Sequence, residues 1–278
     1  MDLEPKFGNM ATAATCPGYV TGLFCIEDDD ASGAGFAVDA GMRTSVSEKK
    51  SGRTVILING SESPAPVSKT VMRKYSEACG KLGLLEIRHE TGLPIGYGLG
   101  MSAAGALSLS LALNELLGAG LRRKECVKIA HDADVECGTG LSGVDAAAVG
   151  GAVARKAGGK PVKLDFGRKE IELAFFSPIR TSSIIRSAEW KSSVNDAGSR
   201  ALELLFRKPD WGGFVKASRQ FSREAGLSGW CEGEMEKNPH AGMAMLGHTL
   251  FCDRKMELGS KPMKAVSVKI SNAGAKLE

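Results

Sequence analysis

No two of the seven cysteines stand in a Cys-x-x-Cys pair, and their odd number cannot be fully paired within one chain. Zinc ribbons and disulfide scaffolds are therefore disfavoured, and the reduced thiols of a cytoplasmic protein are the expectation. No apolar run reaches the roughly 18 residues that a membrane-spanning helix requires. The opening "MDLEPKFGNMATAATC" is acidic and then polar, without the basic and apolar regions of a secretory leader. The net charge is only +4, with lysine and arginine dispersed among aspartate and glutamate. Neither nucleic acid nor a membrane surface is thus an expected partner, whereas an anionic small molecule suits the balance. There are only four histidines, and His240 and His248 have no third partner nearby in sequence, so a zinc site is not expected. Trp190, Trp211 and Trp230 are scattered and read as packing residues.

What is present is enough apolar residue, 43% of 278, to bury a large core. Alternation and glycine turns predict strands over 33–47 and 53–60. A helix is predicted over 68–83, with Ser68 as its cap, Val71, Met72, Tyr75 and Cys79 as its apolar stripe, and Gly83 as its stop. A strand over 84–90 leads into a glycine loop and an alanine-rich helix. A further helix follows at 122–136, then strands at 150–156, 161–167 and 170–176. Helices at 195–207, 211–225 and 239–250 and a last strand at 264–271 complete the pattern. Strands and helices interleave without a regular βαβ rhythm, which predicts an α+β protein of two lobes, 1–165 and 166–278.

The glycine loop is "PIGYGLGMSAAGALSLSLALNELL", residues 94–117. Gly96, Gly98 and Gly100 free the backbone to close around an anion, and the following helix would present unpaired N–H groups and a partial positive charge to it. Ser102 stands at the helix entrance, where its hydroxyl can cap the helix or reach a phosphate-bound magnesium ion. Ala103 and Ala104 keep the first turn thin. No lysine follows the glycines, so this is not a Walker loop. Taken alone, the segment reads more readily as a structural turn than as a phosphate site.

Three ordered segments give it a context. "PIGYGLGMSAAGA" resembles the second motif of the GHMP kinases, P-x-x-x-G-L-G-S-S-A-A, matching at Pro94, Gly98, Leu99, Gly100, Ser102, Ala103 and Ala104, with Met101 in place of the first serine. "CPGYVTGLFCI" (16–26) resembles the first motif, and "SGVDAAAVGGAVAR" (142–155) resembles the segment that carries the catalytic aspartate in mevalonate kinase. "PGYVTGLFCIEDD", "SGAGFAVDAG", "AHDADVECGTGL" and "VSVKISNAGAK" look most like the archaeal pantoate kinases. The resemblance implies a two-lobed GHMP kinase fold, with an N-terminal ribosomal-protein-S5-domain-2-like lobe and a ferredoxin-like C-terminal lobe. It also implies transfer of the γ-phosphoryl group of ATP, with Mg²⁺, to the terminal hydroxyl of D-pantoate on the archaeal route to coenzyme A, and it suggests a homodimer. Another GHMP kinase, for mevalonate, homoserine or shikimate, and a catalytically silent ligand-binding relative are the alternatives. Retention of Ser102 with Asp145 speaks against the silent one.

The resemblance also distributes roles. ATP falls to Pro94, Gly96, Gly98, Leu99, Gly100, Met101, Ser102, Ala103 and Ala104. Asp145 is the acid that takes the proton of the hydroxyl, with a turn-capping aspartate as the plainer reading. Asp134, eleven residues earlier, is the magnesium partner of Ser102, with Glu136 as the alternative, while Asp132 reads as a solvated helix residue. His131 and Asp134 share one helix face, which lets His131 address the substrate. Arg155 would fork the pantoate carboxylate, and Ser32 matches a serine near the substrate. Residues 241–249, with Gly242 and Gly247, occupy the place of a third glycine motif but read as a buried helix packed by methionine.

Overall fold

Two long strands, β1 (Ala11–Ile26) and β2 (Ala31–Glu48), pair antiparallel along most of their length and form the spine of the protein. The register slips between Pro17 and Gly18 and again between Thr21 and Leu23. The same proline and glycines make this stretch look interrupted in sequence; in the fold they mark bulges, which bend a strand without ending it. The computed structural model describes residues 11–26, 31–140, 143–156, 159–167, 169–179 and 188–278. The opening decapeptide, the acidic stretch 27–30 and Ser142 lie outside the described residues.

Around this spine an eight-stranded sheet runs in the order β12-β1-β2-β5-β3-β4, with β6 and β7 branching from β2. Its other members are β3 (Val55–Ile58), β4 (Ser61–Glu62), β5 (Leu85–Glu90), β6 (Ala152–Arg155), β7 (Val162–Leu164) and β12 (Lys276–Leu277). Helices α1 (Pro66–Cys79), α2 (Met101–Leu116), α3 (Arg123–Glu136) and α4 (Gly143–Val149) accompany it, with α2 packed on β1 and β2. The unbroken Ala/Leu/Ser run of α2 is buried from Ala103 to Leu113, as a helix flanked by a sheet and two further helices must be. Helix α1 begins two residues before its expected cap. Pro66 opens it, and Ser68 turns inward to Nε2 of His89 at 2.9 Å. It also stops early, at Gly80 with φ of 91°.

A second, all-antiparallel sheet holds β8 (Glu170–Ser177), β9 (Ala241–Ala244), β10 (His248–Cys252) and β11 (Lys264–Lys269) in the order β11-β8-β10-β9. That order is the ferredoxin-like one, with a loop over 253–263 where the second crossover helix would stand. Helices α5 (Ala188–Arg207), α6 (Trp211–Glu224) and α7 (Glu232–Lys237) connect β8 to β9. Phe36 of β2, Phe166, Trp211 and Phe214 of α6, and Phe251 of β10 form one aromatic cluster that joins the two sheets. The helix expected at 239–250 is instead the β9–β10 hairpin, because Gly242 and Gly247 break helical continuity and both strands are buried on all sides. After β11 the chain returns to the first sheet, where Leu277 pairs with Ala14. All seven cysteines are free. No helix among the described residues is long and apolar enough to cross a membrane.

Candidate active site

The glycine loop is clamped from both sides. Tyr19 of β1 donates its backbone N–H to the Leu99 carbonyl at 2.9 Å, and Thr249 of β10 donates its hydroxyl to the Tyr97 carbonyl at 2.7 Å. Gly96, Gly98 and Gly100 all have positive φ, at 89°, 80° and 61°, a conformation in which other residues are strained. A Cβ on Gly247 would stand 2.1 Å from the Tyr97 carbonyl carbon, so the hairpin turn presses directly on the loop. The third glycine segment therefore meets the second through backbone.

The loop delivers the chain into α2 at Gly100, with no side chain capping the helix, and the first intrahelical bond runs from Ala104 to Gly100. The N–H groups of Met101, Ser102 and Ala103 precede the first intrahelical bond and have no acceptor within the helix, which suits an oxyanion at this end. Leu99, Met101, Ala103 and Ala104 are buried, so these motif residues offer an anion backbone rather than side chain. Met101 fills the core beneath β1, its Cε lying 2.9 Å from where a Cβ on Gly18 would stand. Pro94 is half-buried at the entrance to the loop.

Ser102 does not cap the helix. Its hydroxyl donates to the Asp134 carboxylate, and it lies 2.9 Å from Thr139 Oγ1, which itself contacts the same carboxylate oxygen at 2.5 Å. Asp134 is only 2% exposed, and no lysine or arginine among the described residues pairs with it. Burial raises its pKa, opposed by the bonds from Ser102 and Thr139 and by the charge of His131. A buried carboxylate flanked by two hydroxyls and short of positive charge fits a hard divalent cation. Among the described residues no cluster of three His, Cys, Asp or Glu exists, so phosphate oxygens and water would have to complete such a site. Glu136 lies apart from it. Its carboxylate is exposed and held by Arg73 at 2.7 Å and Lys74 at 3.2 Å. Asp132 pairs with Lys128 one turn away, at 2.8 Å.

One turn before Asp134, His131 approaches an Asp145 oxygen through Nδ1 at 3.2 Å. The Asp145 carboxylate beside it raises the pKa of His131 against the opposing effect of burial. Asp145 lies in the first turn of α4, whose Gly143 faces Ala103 of α2 with only 3.5 Å to a Cβ built there. The small residues at 103 and 143 thus let the acid approach the loop. Helix α3 links the two ends of the site, with Asp134 toward Ser102 and His131 toward Asp145.

Asp145 and Arg155 line one cleft, walled by Tyr19, Thr21, Phe24, Val149 and Val153. Arg155 ends β6 and pairs in register with Gly33 of β2. Ser32 is buried on the same strand, and its neighbour Gly33, rather than Ser32, lines the cleft. The sequence pattern does not single out Thr139, Tyr19 or Thr21. The signal for Thr139 is Gly138, a helix stop that folds the next residue back over Asp134.

The GHMP kinases N-terminal domain matches residues 67–153. A pantoate kinase of Methanocaldococcus jannaschii is 33% identical over 259 residues, 87% of this chain and 92% of that protein. A pantoate kinase of Methanospirillum hungatei is 31% identical over 260 residues, 86% of each chain. A solved structure described as a phosphotransferase related to the CoA biosynthesis pathway superposes with a TM-score of 0.80 over 97% of this chain and 99% of its own, at 22% identity, a likeness of fold. The chain belongs to the GHMP kinases and, within them, to the pantoate kinase family.

Proposed function

We propose that the protein transfers the γ-phosphoryl group of ATP to the terminal hydroxyl of D-pantoate, giving 4-phosphopantoate. The observation that carries this reading is the cleft in which Arg155 and Asp145 share an apolar wall. Pantoate has a carboxylate at one end, a primary hydroxyl at the other and two methyl groups between them. Arg155 would take the carboxylate as a bidentate fork, Val149, Val153 and Phe24 the methyl groups, and Asp145 the hydroxyl. Ser32 would support the substrate strand from behind Gly33. Carboxylate and hydroxyl are common to mevalonate, homoserine and shikimate, so the pantoate kinase relatives supply the choice among acceptors.

In this reading the loop and first-turn amides up to Ala103 hold the triphosphate, Ala104 keeps the first turn thin with its own N–H bonded to the Gly100 carbonyl, and the positions of Pro94, Leu99 and Met101 keep the loop in shape. Ser102 and Asp134 would hold the magnesium ion, which would supply charge neutralisation for the phosphate oxygens. Asp145 orients the hydroxyl and accepts its proton as the bond to phosphorus forms. His131 steadies Asp145 through Nδ1 and donates from its other nitrogen to the substrate. Catalysis is positioning and charge neutralisation, which is most of what phosphoryl transfer asks of a protein. We assign these tasks to a cytoplasmic homodimer whose lobes divide as 1–165 and 166–278, the closing strand β12 being shared back to the first lobe.

A coupled ADP-release assay over pantoate, mevalonate, homoserine and shikimate tests the proposal. Pantoate should exceed the others in kcat/KM by orders of magnitude. Equal rates across the panel would overturn the substrate and leave the kinase standing.

A further inference from the structure

The bond from Thr139 to Asp134 has no counterpart in the roles assigned above. Gly138, at φ of 66°, ends α3 and turns the chain back on itself. The Thr139 amide then donates to the Asp134 carbonyl at 3.1 Å, and its hydroxyl reaches the Asp134 carboxylate at 2.5 Å. The same hydroxyl lies 2.9 Å from Ser102 Oγ. Gly140 makes this approach possible, because a Cβ there would stand 2.1 Å from Asp134 Oδ2. An aspartate has one rotatable bond to its carboxyl group beyond Cβ, and here both hydroxyls converge on one of its oxygens, which leaves the carboxylate one orientation.

We infer that Thr139 is a positioning residue for the cation-binding carboxylate: it holds Asp134 beside Ser102, and the Gly-Thr-Gly turn at 138–140 exists to bring it there. The inference rests on the magnesium placement proposed above, and it concerns a residue that touches neither nucleotide nor acceptor. A hydroxyl has one proton and two lone pairs, so when Thr139 donates to the carboxylate its oxygen still accepts from Ser102, and Ser102 Oγ keeps lone pairs with which it would hold a cation. Partners that orient a metal ligand typically change metal affinity by about 10- to 100-fold when removed.

The test is the affinity of the enzyme for Mn²⁺ in the presence of ADP, read by titration calorimetry and by the paramagnetic resonance of bound Mn²⁺. Thr139→Val, which keeps the shape and removes the hydroxyl, should weaken Mn²⁺ binding by about tenfold or more and raise the KM for MgATP in parallel. The KM for pantoate should not move, and Thr139→Ser should restore Mn²⁺ binding to within about twofold of wild type. If Thr139→Val does not fold, Thr139→Ala carries the same expectation. Mn²⁺ binding by either hydroxyl-free variant at the wild-type affinity overturns the inference. Wild-type enzyme that binds Mn²⁺ and ADP but does not phosphorylate pantoate removes the substrate reading and leaves Thr139 in place. Wild-type enzyme that does not bind Mn²⁺ with ADP overturns both.

Discussion

Nδ1 of His131 lies 3.2 Å from a carboxylate oxygen of Asp145, joining the middle of α3 to the first turn of α4. The residue proposed to receive the proton is thus held by a group that can itself carry charge. Asp145→Asn should lower kcat by about 10² to 10⁴ while nucleotide affinity stays near wild type. Coupled ADP release and a nucleotide titration measure the two quantities, and unchanged turnover would remove the assigned role.

The same pair sets a pH signature. The adjacent Asp145 carboxylate raises the pKa of His131 above the ordinary 6.5. Its stabilising contribution is complete below pH 6.5 and is lost as pH rises through the raised folded value. The His131 ring, followed by NMR, should titrate above 6.5 in the wild type and fall back toward or below it in Asp145→Asn.

Arg155 stands at the end of β6 in the acceptor cleft. Arg155→Lys replaces a planar fork by a point charge and should raise the KM for pantoate by about tenfold, leaving the KM for ATP unchanged. Steady-state kinetics with each substrate varied in turn separates the two.

Gly247 presses on Tyr97 so closely that an added Cβ meets backbone at 2.1 Å. Gly247→Ala should cost about 1–3 kcal/mol, a melting point lower by several degrees, and should raise the KM for ATP by moving the glycine loop. Gly83→Ala, where nothing lies within 4 Å of the new Cβ, is the control and should change neither.

His89 is 2% exposed and bonds Thr44 at 2.8 Å and Ser68 at 2.9 Å; burial lowers its pKa from 6.5 to about 4. Unfolding releases a ring that takes up a proton below pH 6.5, while the folded ring stays neutral. The stability it contributes is complete above 6.5 and falls as pH drops toward 4, by about 2 kcal/mol at pH 5. Urea midpoints at pH 7.5 and 5 measure this, and His89→Gln should remove that part of the pH dependence.

Local pattern carried most of the regular elements. The stripe of α1, the alternation of β5 and the glycine stops are properties of neighbours in sequence, and they placed these elements within a few residues. It misplaced Ser68 because a buried histidine outcompeted the helix end for its hydroxyl. It reads 239–250 as a helix because Met243 and Met245 are apolar in either conformation, and only the pairing of β9 with β10 and of β10 with β8 distinguishes the two. Asp134 and Glu136, two residues apart, point to nearly opposite sides of α3, and the local sequence does not say which side meets Ser102. The fold separates them, since Arg73 and Lys74 hold one at the surface and α2 buries the other.

The order of the three glycine motifs and the residue types within them are encoded in the sequence itself, because turns with positive φ and thin helix starts need particular residues whatever surrounds them. The tertiary structure alone decided between Asp134 and its alternative Glu136, brought Thr139 back onto Asp134 and His131 Nδ1 to Asp145, and made the third glycine segment a hairpin against the loop. Each of these is a contact between groups brought together by packing, and packing energy depends on what fills the other side of the space, which no local window contains.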